Sequence, residues 1–194
     1  MSDEARRELI DYARALVKQR LVVGHTGNLS VRLEDRILIT PSRVPYADLR
    51  TKDLVEVGMD GTHLTGSLLP SRELPLHLVV YRRRRDVRAL VHTHSPHATA
   101  WSYLGELLLP QTEDNAYYQV GEVRTSRPAS AGSPELAEAA AIALGESAAV
   151  LLGRHGVLTA GSKLQEAFDV ATAVEHQAQV ALLLRAVGYK IRGE

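Results

Sequence analysis

Two histidines separated by one residue, His92 and His94, have the spacing of a pair of metal ligands. The apolar stretch 87–93 predicts a buried strand, and alternate residues of a strand lie on the same face. Both imidazole rings can therefore reach one ion. Neutral imidazole nitrogens are common zinc ligands, and three protein ligands with one open position are typical of a catalytic zinc site. Taken alone, the pair is weak evidence for metal binding.

A third candidate ligand is His155, in the turn Gly153-Arg154-His155-Gly156 between two apolar stretches. A histidine flanked by glycines can be pushed into a cleft, although an ordinary surface turn would have the same sequence. The other histidines have no comparable spacing and are expected on the surface or in the core: His25, His63, His77, His97 and His176.

A carboxylate and two polar turns complete the set of candidate residues. Glu73 lies near the start of a predicted helix, where it could act as an acid or base or could simply stabilise the first turn through the helix dipole. Residues 26–28 and 40–43 are rich in hydroxyl and amide groups, and backbone N–H groups in such turns can bind anions. Both segments are also compatible with ordinary turns.

The elements that must position these residues follow from periodicity and turn signals. Helical spacing of apolar residues, with Asp3 as the first N-cap and Ser133 as a later one, predicts five helices: residues 3–21, 71–84, 98–104, 133–144 and 164–187. Apolar runs, the first two joined in a hairpin around Asp35, predict six strands: residues 28–31, 36–40, 54–57, 87–93, 148–152 and 156–160. Residues 110–132 are expected to be loops with one short strand. The pattern predicts a mixed α/β domain with helices on both sides of a central sheet.

Composition limits the classes of function. The 194 residues fit one domain, predicted over residues 1–194. Lys plus Arg equal Asp plus Glu at 23 each, so no overall charge favours nucleic acid or an anionic membrane. The chain has no cysteine, which excludes thiolate chemistry and Cys-based zinc sites. No signal core and no apolar window of about 18 residues is present, so a cytoplasmic location is expected.

Five segments together resemble the class II aldolase/adducin family: GHTGNLSVR, ILITPSRVPY, LLPSRELPLH, ALVHTHSPHATA and LLGRHGVLTAG. The resemblance runs nearly end to end. It implies that His92, His94 and His155 bind a divalent ion, most simply Zn²⁺, with Mn²⁺ or Co²⁺ as alternatives. It implies that Glu73 is the acid/base and can also ligate the resting ion. The positions that match the family's phosphate-binding residues are Thr26, Gly27, Asn28, Ser42 and Ser71.

The same resemblance implies a fold, an assembly and a substrate class. The expected fold is a single mixed α/β domain with a mainly antiparallel central sheet flanked by helices. The expected assembly is a homotetramer with active sites between subunits. The expected partner is a small anionic substrate of carbohydrate metabolism, with no nucleic acid and no membrane.

Three positions depart from the family pattern. Arg43 stands where phosphate-binding members typically have glycine, and Arg72 stands where they commonly have a second serine. Arginine binds phosphate or carboxylate bidentately, so both are expected to hold the substrate's remote anion in an altered geometry. Glu113 occupies the position of an active-site tyrosine. Whether Glu113, Tyr117 or Tyr118 takes over that role is left open by the sequence.

The resemblance implies a metal-dependent carbon–carbon lyase of the class II aldolase type, which cleaves a small hydroxy-ketone through a metal-stabilised enediolate. The first alternative is a metal-dependent decarboxylase of a hydroxylated mono- or dicarboxylate. A sugar-phosphate 4-epimerase or a dehydratase is a further alternative. The alternative from another class is a non-catalytic, adducin-like interaction module.

Overall fold

The computed structural model describes residues 2–189. This part of the chain contains six α-helices: α1 Ser2–Lys18, α2 Leu74–Arg83, α3 Pro96–Ser102, α4 Glu113–Tyr117, α5 Pro134–Leu144 and α6 Leu164–Ala186. It contains eight strands: β1 Asn28–Leu33, β2 Arg36–Ile39, β3 Val55–Gly58, β4 His63–Thr65, β5 Ala89–Thr93, β6 Arg124–Thr125, β7 Ala149–Leu152 and β8 Gly156–Gly161. A 3-10 helix covers Thr51–Asp53. Within the described range, no helix has the length and apolar character needed to cross a membrane.

All eight strands form one sheet in the order β4-β3-β2-β1-β5-β8-β7-β6. Every neighbouring pair is antiparallel except β6 and β7, which are parallel. The predicted mixed α/β fold with a mainly antiparallel sheet is confirmed. At the centre, His92 of β5 pairs with Asn28 of β1 and with Leu158 of β8. The C-terminal end of β5 therefore lies between the N-terminal ends of β1 and β8.

Helices cover both faces of the sheet, as predicted. Leu90 of β5 packs in the cluster formed with α2 and α5, whereas Ala89 and Val91 pack in the cluster formed with α1 and α6. This division follows from the alternation of side chains along a strand. His92, two residues beyond Leu90, is therefore on the face that α2 covers.

The helix after Pro70 begins later than the predicted position 71. Helix α2 starts at Leu74, and Glu73 is its N-cap residue. Pro75 explains the difference, because a proline inside a helix clashes with the carbonyl group four residues earlier, here that of Ser71. In the first turn, the missing N–H of Pro75 costs no helical hydrogen bond. Glu73 is thus at the junction between a turn and a helix.

The two predicted N-caps had different outcomes. The Asp3 prediction was wrong: α1 already begins at Ser2, so Asp3 lies in the first turn, where its charge still suits the helix dipole. The Ser133 prediction is confirmed, because the Ser133 hydroxyl accepts a hydrogen bond from the Leu136 N–H at 3.1 Å. Pro134 occupies the first helical position of α5.

Besides the short 3-10 helix, one strand and one α-helix were not predicted. Strand β4 is exposed at all three residues, so it lacks the buried alternation that indicates a strand. Helix α4 has five residues and lies in the segment 110–132, which was expected to hold loops and one short strand. Five residues are too few to show helical periodicity. The expected short strand is β6.

Candidate metal centre and acid–base site

The three candidate histidines and Glu73 form one cluster although they come from three separate segments. His92 is in β5 and His94 follows that strand, His155 is in the turn between β7 and β8, and Glu73 precedes α2. One potential ligand atom of each residue lies within 4.8 Å of the others. Each pair of imidazole rings has a centroid separation of 4.9 Å.

Gly156 lets the turn that carries His155 approach β5. A Cβ atom at Gly156 would be 2.2 Å from the carbonyl oxygen of Thr93 and 3.3 Å from ring atoms of His92 and His94. No side chain larger than hydrogen fits between the turn and the two histidines. The glycine that follows His155 is therefore required by the packing of the site.

The orientation of the His92 ring leaves a lone pair directed at the cluster. Its Nδ1 donates to the carbonyl oxygen of Val157 at 2.9 Å, so Nε2 of the neutral ring is unprotonated. This Nε2 lies 2.9 Å from Glu73 Oε2 and 3.0 Å from His94 Nε2. Glu73 Oε1 is buried without a hydrogen-bond partner among the described residues. Converging acceptor atoms of this kind fit a bound cation.

Burial and mutual charge decide the protonation of the cluster. Burial favours the neutral acid of Glu73, but His92, His155 and the Asn28 hydrogen bond outweigh burial and lower its pKa well below the usual carboxyl value. Burial alone would lower the pKa of His92, but the Glu73 carboxylate raises it above the usual value. Burial and the charge of His92 lower the pKa of His94 to about 3 and that of His155 to about 4. Glu73 is thus anionic, and His94 and His155 are neutral, at neutral pH.

The turn predicted at residues 26–28 packs directly against this cluster. Gly27 has a φ of 73°, and a Cβ atom on it would be 2.4 Å from the His92 carbonyl oxygen. The Thr26 hydroxyl bonds within the turn, accepting from the Val23 N–H at 3.0 Å and donating to the Val23 carbonyl at 2.9 Å. The Asn28 amide donates to Glu73 Oε2 at 2.9 Å. The polar side chains of this turn are therefore bonded inside the protein.

The segments around Ser42 and Ser71 are joined to each other beside the cluster. The backbone N–H groups of Ser42 and Ser71 each donate to a carbonyl of the opposite segment at 3.0 Å. The Ser42 hydroxyl donates to the Pro70 carbonyl at 2.8 Å. These hydrogen bonds hold Arg43 and Arg72, each one residue further along the chain, on adjacent turns.

Arg43 and Arg72 are both exposed, and neither has a hydrogen-bond or ion-pair partner among residues 2–189. Arg43 has a φ of 64°. This left-handed conformation costs a non-glycine residue roughly 1–2 kcal/mol. The charge of Arg72 reaches the cluster, since it contributes to the lowered pKa of His155. Two cationic side chains are therefore available next to the cluster.

The candidates for the missing tyrosine do not join the cluster within this chain. Tyr117 and Tyr118 border a cavity that Gly161 also lines, at the end of β8 opposite to Gly156 and the histidines. Glu113 is the exposed first residue of α4, which packs on α6. Tyr117 and Tyr118 therefore lie away from the histidines of their own chain.

A buried polar group behind Glu73 was not predicted as part of the site. His77 was expected on the surface or in the core, and it is fully buried with both ring nitrogens bonded, to Asn28 and to Ser30. Ser30 also bonds to the hydroxyl of Tyr81. One signal in the sequence was available: Glu73, His77 and Tyr81 are four residues apart, so they share one face of α2.

The chain matches the family model described as Class II Aldolase and Adducin N-terminal domain over residues 7–182. It is 34% identical to the 5-deoxy-D-ribulose 1-phosphate aldolase of Bacillus thuringiensis, over 94% of this chain and 86% of the relative. It is 35% identical to the 3-oxo-tetronate 4-phosphate decarboxylase of Haemophilus influenzae, over 99% of this chain and 93% of the relative.

A solved structure of an L-fuculose 1-phosphate aldolase superposes with a TM-score of 0.92 at 33% identity, covering 98% of this chain and 91% of that chain. The predicted resemblance to the class II aldolase/adducin family is confirmed, with this aldolase among its similar structures. The relatives include aldolases and a decarboxylase, so the predicted lyase class of enzyme is also confirmed. The extent of the family match and the identities to these relatives show that this chain belongs to the class II aldolase and adducin family.

Proposed function

We propose that this protein is a metal-dependent carbon–carbon lyase that cleaves a small, anionic hydroxy-ketone, such as a sugar phosphate, by a reverse aldol reaction. The observation that carries the proposal is the convergence of His92, His94 and His155 with Glu73 within 4.8 Å. A non-catalytic interaction module would have no need for four converging ligand atoms of this kind.

In this proposal, the three histidines hold a divalent ion, and Glu73 can be a fourth ligand in the resting enzyme. Imidazole nitrogens with one carboxylate suit zinc, and manganese or cobalt are alternatives. When bound, the ion would supply Lewis-acid polarisation of a substrate carbonyl oxygen. The hydrogen bond from His92 Nδ1–H to the Val157 carbonyl oxygen fixes the orientation of the ring. It leaves the lone pair of Nε2 to bind the ion.

Glu73 would transfer the proton. Breaking the carbon–carbon bond turns a substrate hydroxyl into an aldehyde, which releases the hydroxyl proton, and leaves an electron pair on the neighbouring carbon, which must accept a proton. Glu73, which is anionic in the free protein, would take up the released proton and deliver it to that carbon. Glu73 Oε1 is the available oxygen, since Oε2 accepts the hydrogen bond from Asn28 while Oε1 has no hydrogen-bond partner among the described residues and faces His155 Nε2 at 3.5 Å. In the synthetic direction, the same oxygen would remove the proton from that carbon.

Arg43 and Arg72 would bind the anionic group of the substrate at its remote end. The hydroxyls of Thr26 and Ser42 already donate to carbonyl groups of the protein, so they contribute less than the family pattern implies. The guanidinium groups have no partners among residues 2–189, and arginine suits bidentate binding of phosphate or carboxylate. Backbone N–H groups near Gly27 and the Ser71 hydroxyl would complete this site.

A second candidate reaction is decarboxylation of a hydroxylated carboxylate or dicarboxylate. Where the substrate also has a carbonyl group on the carbon next to the one that bears the carboxylate, loss of CO2 leaves an electron pair beside that carbonyl group, so the same cluster could serve this reaction. Two observations favour this reaction: the decarboxylase relative covers 99% of the chain, and two arginines stand in the anion-binding turns.

We further infer that the protein works as a homotetramer with active sites completed between subunits. The location of Tyr117, which is 80% exposed and far from the histidines of its own chain, supports this inference. From a second subunit, Glu113, Tyr117 or Tyr118 could reach the site. Light scattering should give a mass of about four chains, and a monomer throughout the micromolar range would contradict the inference.

The reaction can be tested by a paired screen of the metal-loaded protein. Ketose 1-phosphates, the same ketoses without phosphate, and hydroxy carboxylates with and without a phosphate would each be incubated with the enzyme. The release of aldehyde and the release of CO2 would both be measured. Release of aldehyde supports aldol cleavage, and release of CO2 supports the second candidate. The chelator-treated protein and Glu73→Gln are the matched controls. If no substrate of either class gives a product that depends on metal and on Glu73, the proposed function is wrong.

A further inference from the structure

A row of buried side chains behind Glu73 forms a continuous series of hydrogen bonds. Asn28 Nδ2 bonds to Glu73 Oε2 at 2.9 Å, and Asn28 Oδ1 bonds to His77 Nε2. His77 Nδ1 lies 2.6 Å from the Ser30 hydroxyl, which lies 2.8 Å from the Tyr81 hydroxyl. All five residues are buried, with exposed fractions of 6% or less.

The series is built from two regular elements. Asn28 and Ser30 are two residues apart on β1, so they point to the same face of the sheet. His77 and Tyr81 are four residues apart on α2, so they lie on one side of that helix. The series therefore fills the interface between β1 and α2, where an apolar contact would be the usual solution.

The chemistry of each group fixes the direction of the hydrogen bonds. The Asn28 oxygen can only accept, so His77 Nε2 must carry a proton. His77 is fully buried and its Nδ1 faces the Ser30 hydroxyl at 2.6 Å, so a neutral ring whose Nδ1 accepts from Ser30 satisfies both hydrogen bonds. The Ser30 hydroxyl then donates to Nδ1 and can accept from Tyr81. The Tyr81 hydroxyl also lies 3.0 Å from the Ser30 carbonyl oxygen, to which it can donate instead. From Ser30 to Glu73, each hydrogen bond is thus donated toward the carboxylate.

We propose that Asn28, His77 and Ser30, with Tyr81 at the far end, are positioning residues that hold Glu73 Oε2 and so leave Oε1 directed at the substrate. Asn28 makes the contact, and His77 selects the orientation of the Asn28 amide. A flipped amide would place its carbonyl oxygen against the carboxylate, which would be repulsive. This inference rests on the proposed role of Glu73, and it assigns the Asn28 side chain to Glu73 rather than to the remote anion.

The kinetic test uses a matched pair of changes at His77. His77→Leu removes both hydrogen bonds at similar volume, whereas His77→Gln retains a donor that can reach Asn28. We expect His77→Leu to lower kcat by about 10–100-fold, the usual range for partners of an active-site ligand. The KM for the anionic substrate should change less than about twofold, because the arginines are untouched. His77→Gln should recover much of the lost kcat, and the metal content of both variants should equal that of the parent.

A double-mutant cycle separates positioning from a general structural role. If His77 acts through Asn28, then His77→Leu should have little further effect on kcat in an Asn28→Ala background. Ser30→Ala and Tyr81→Phe should have progressively smaller effects on kcat, in order of distance from Glu73. Additive losses in the cycle, or losses in kcat that follow the fall in Tm instead of this order, would overturn the proposal.

A second measurement does not depend on catalysis. ¹⁵N NMR of metal-free protein should show His77 as a neutral ring with the proton on Nε2, and Ser30→Ala should shift the Nδ1 resonance. The opposite tautomer, or a protonated ring at neutral pH, would overturn the proposal even in an active enzyme. If the expected tautomer is found in a protein that has no lyase activity, the hydrogen-bond arrangement is supported and the proposed function is wrong.

Discussion

Glu73, His92 and Asn28 are at most 6% exposed, and each has at least one hydrogen bond to the protein. Arg43 and Arg72 are exposed and have no partner among residues 2–189. Together with the half-buried His94 and His155, the first group forms what we call the buried cluster, and we call the second group the arginine rim. The two lie side by side, since the turns that carry the rim adjoin Glu73 and the start of β1.

This difference separates the two tasks of the enzyme. The buried cluster has few alternative conformations, because every change of rotamer would leave a buried polar group without a partner. The arginine rim has no such restriction, so residues there can change with little cost to the fold. We infer that the cluster determines the class of reaction and that the rim determines which anionic substrate is accepted.

The largest effect is expected for loss of a metal ligand from the cluster. His94→Ala should lower turnover by roughly 10³-fold or more, since it removes Lewis-acid stabilisation worth several kcal/mol. Circular dichroism should show an intact fold, because His94 is half-buried and lies just after β5. His63→Ala, at an exposed position in β4, is the matched control and should keep full activity. Equal activity of the two variants would contradict the assigned ligand set.

The second effect concerns proton transfer. Glu73→Gln should lower kcat by roughly 10²–10⁴-fold, the usual range for general acid–base catalysis. The amide keeps the shape of the side chain, so KM should change much less. Steady-state kinetics with the best substrate of the screen would separate the two parameters. A rise in KM at constant kcat would mean that Glu73 binds substrate and does not move the proton.

The rim should respond differently from the cluster. Arg43→Ala and Arg72→Ala should each lower kcat/KM for an anionic substrate by about 10–100-fold, the equivalent of 1.5–3 kcal/mol for a hydrogen bond to a charged group. An analogue that lacks the remote anion should be processed equally by parent and variants. Unchanged kinetics with every active anionic substrate would show that these arginines are surface residues outside the site.

The sequence predicted the cluster better than it predicted the rest of the site. His92, Glu73 and His155 each lie in a short motif that can be recognised in the sequence. The resemblance to the family predicted that these three motifs act together. The start of α2 was misplaced by three residues because the effect of Pro75 on the preceding turn was not considered.

The bonded network behind Glu73 was missed for a different reason. His77 bonds to residues 47 and 49 positions away, on β1, and such pairings depend on how a helix packs on a sheet. The role of Ser42 also depends on a tertiary contact, whereas that of Thr26 depends on a hydrogen bond within its own turn. Their hydroxyls match the phosphate-binding pattern in sequence, yet they donate to carbonyl groups of the protein in the folded chain.

The smallest effect should be on stability at the rim. Arg43→Gly should raise the free energy of unfolding by about 1 kcal/mol or less, because glycine adopts the φ of 64° without the strain of a side chain. Arg43→Ala should give no such gain, although both variants lose the same contact with the anion. Urea denaturation of the two variants would measure the difference. Equal stability of the pair would mean that the turn stores no strain at Arg43.

Metal content is the most direct test of the central claim that His92, His94 and His155 hold a divalent ion beside Glu73. Protein loaded with zinc and then gel-filtered should retain close to one ion per chain by elemental analysis. His94→Ala should retain almost none, and His63→Ala should retain the parental amount. If His94→Ala binds zinc as tightly as the parent, or if the parent binds none, then the cluster is not a metal centre and the proposed lyase mechanism is wrong.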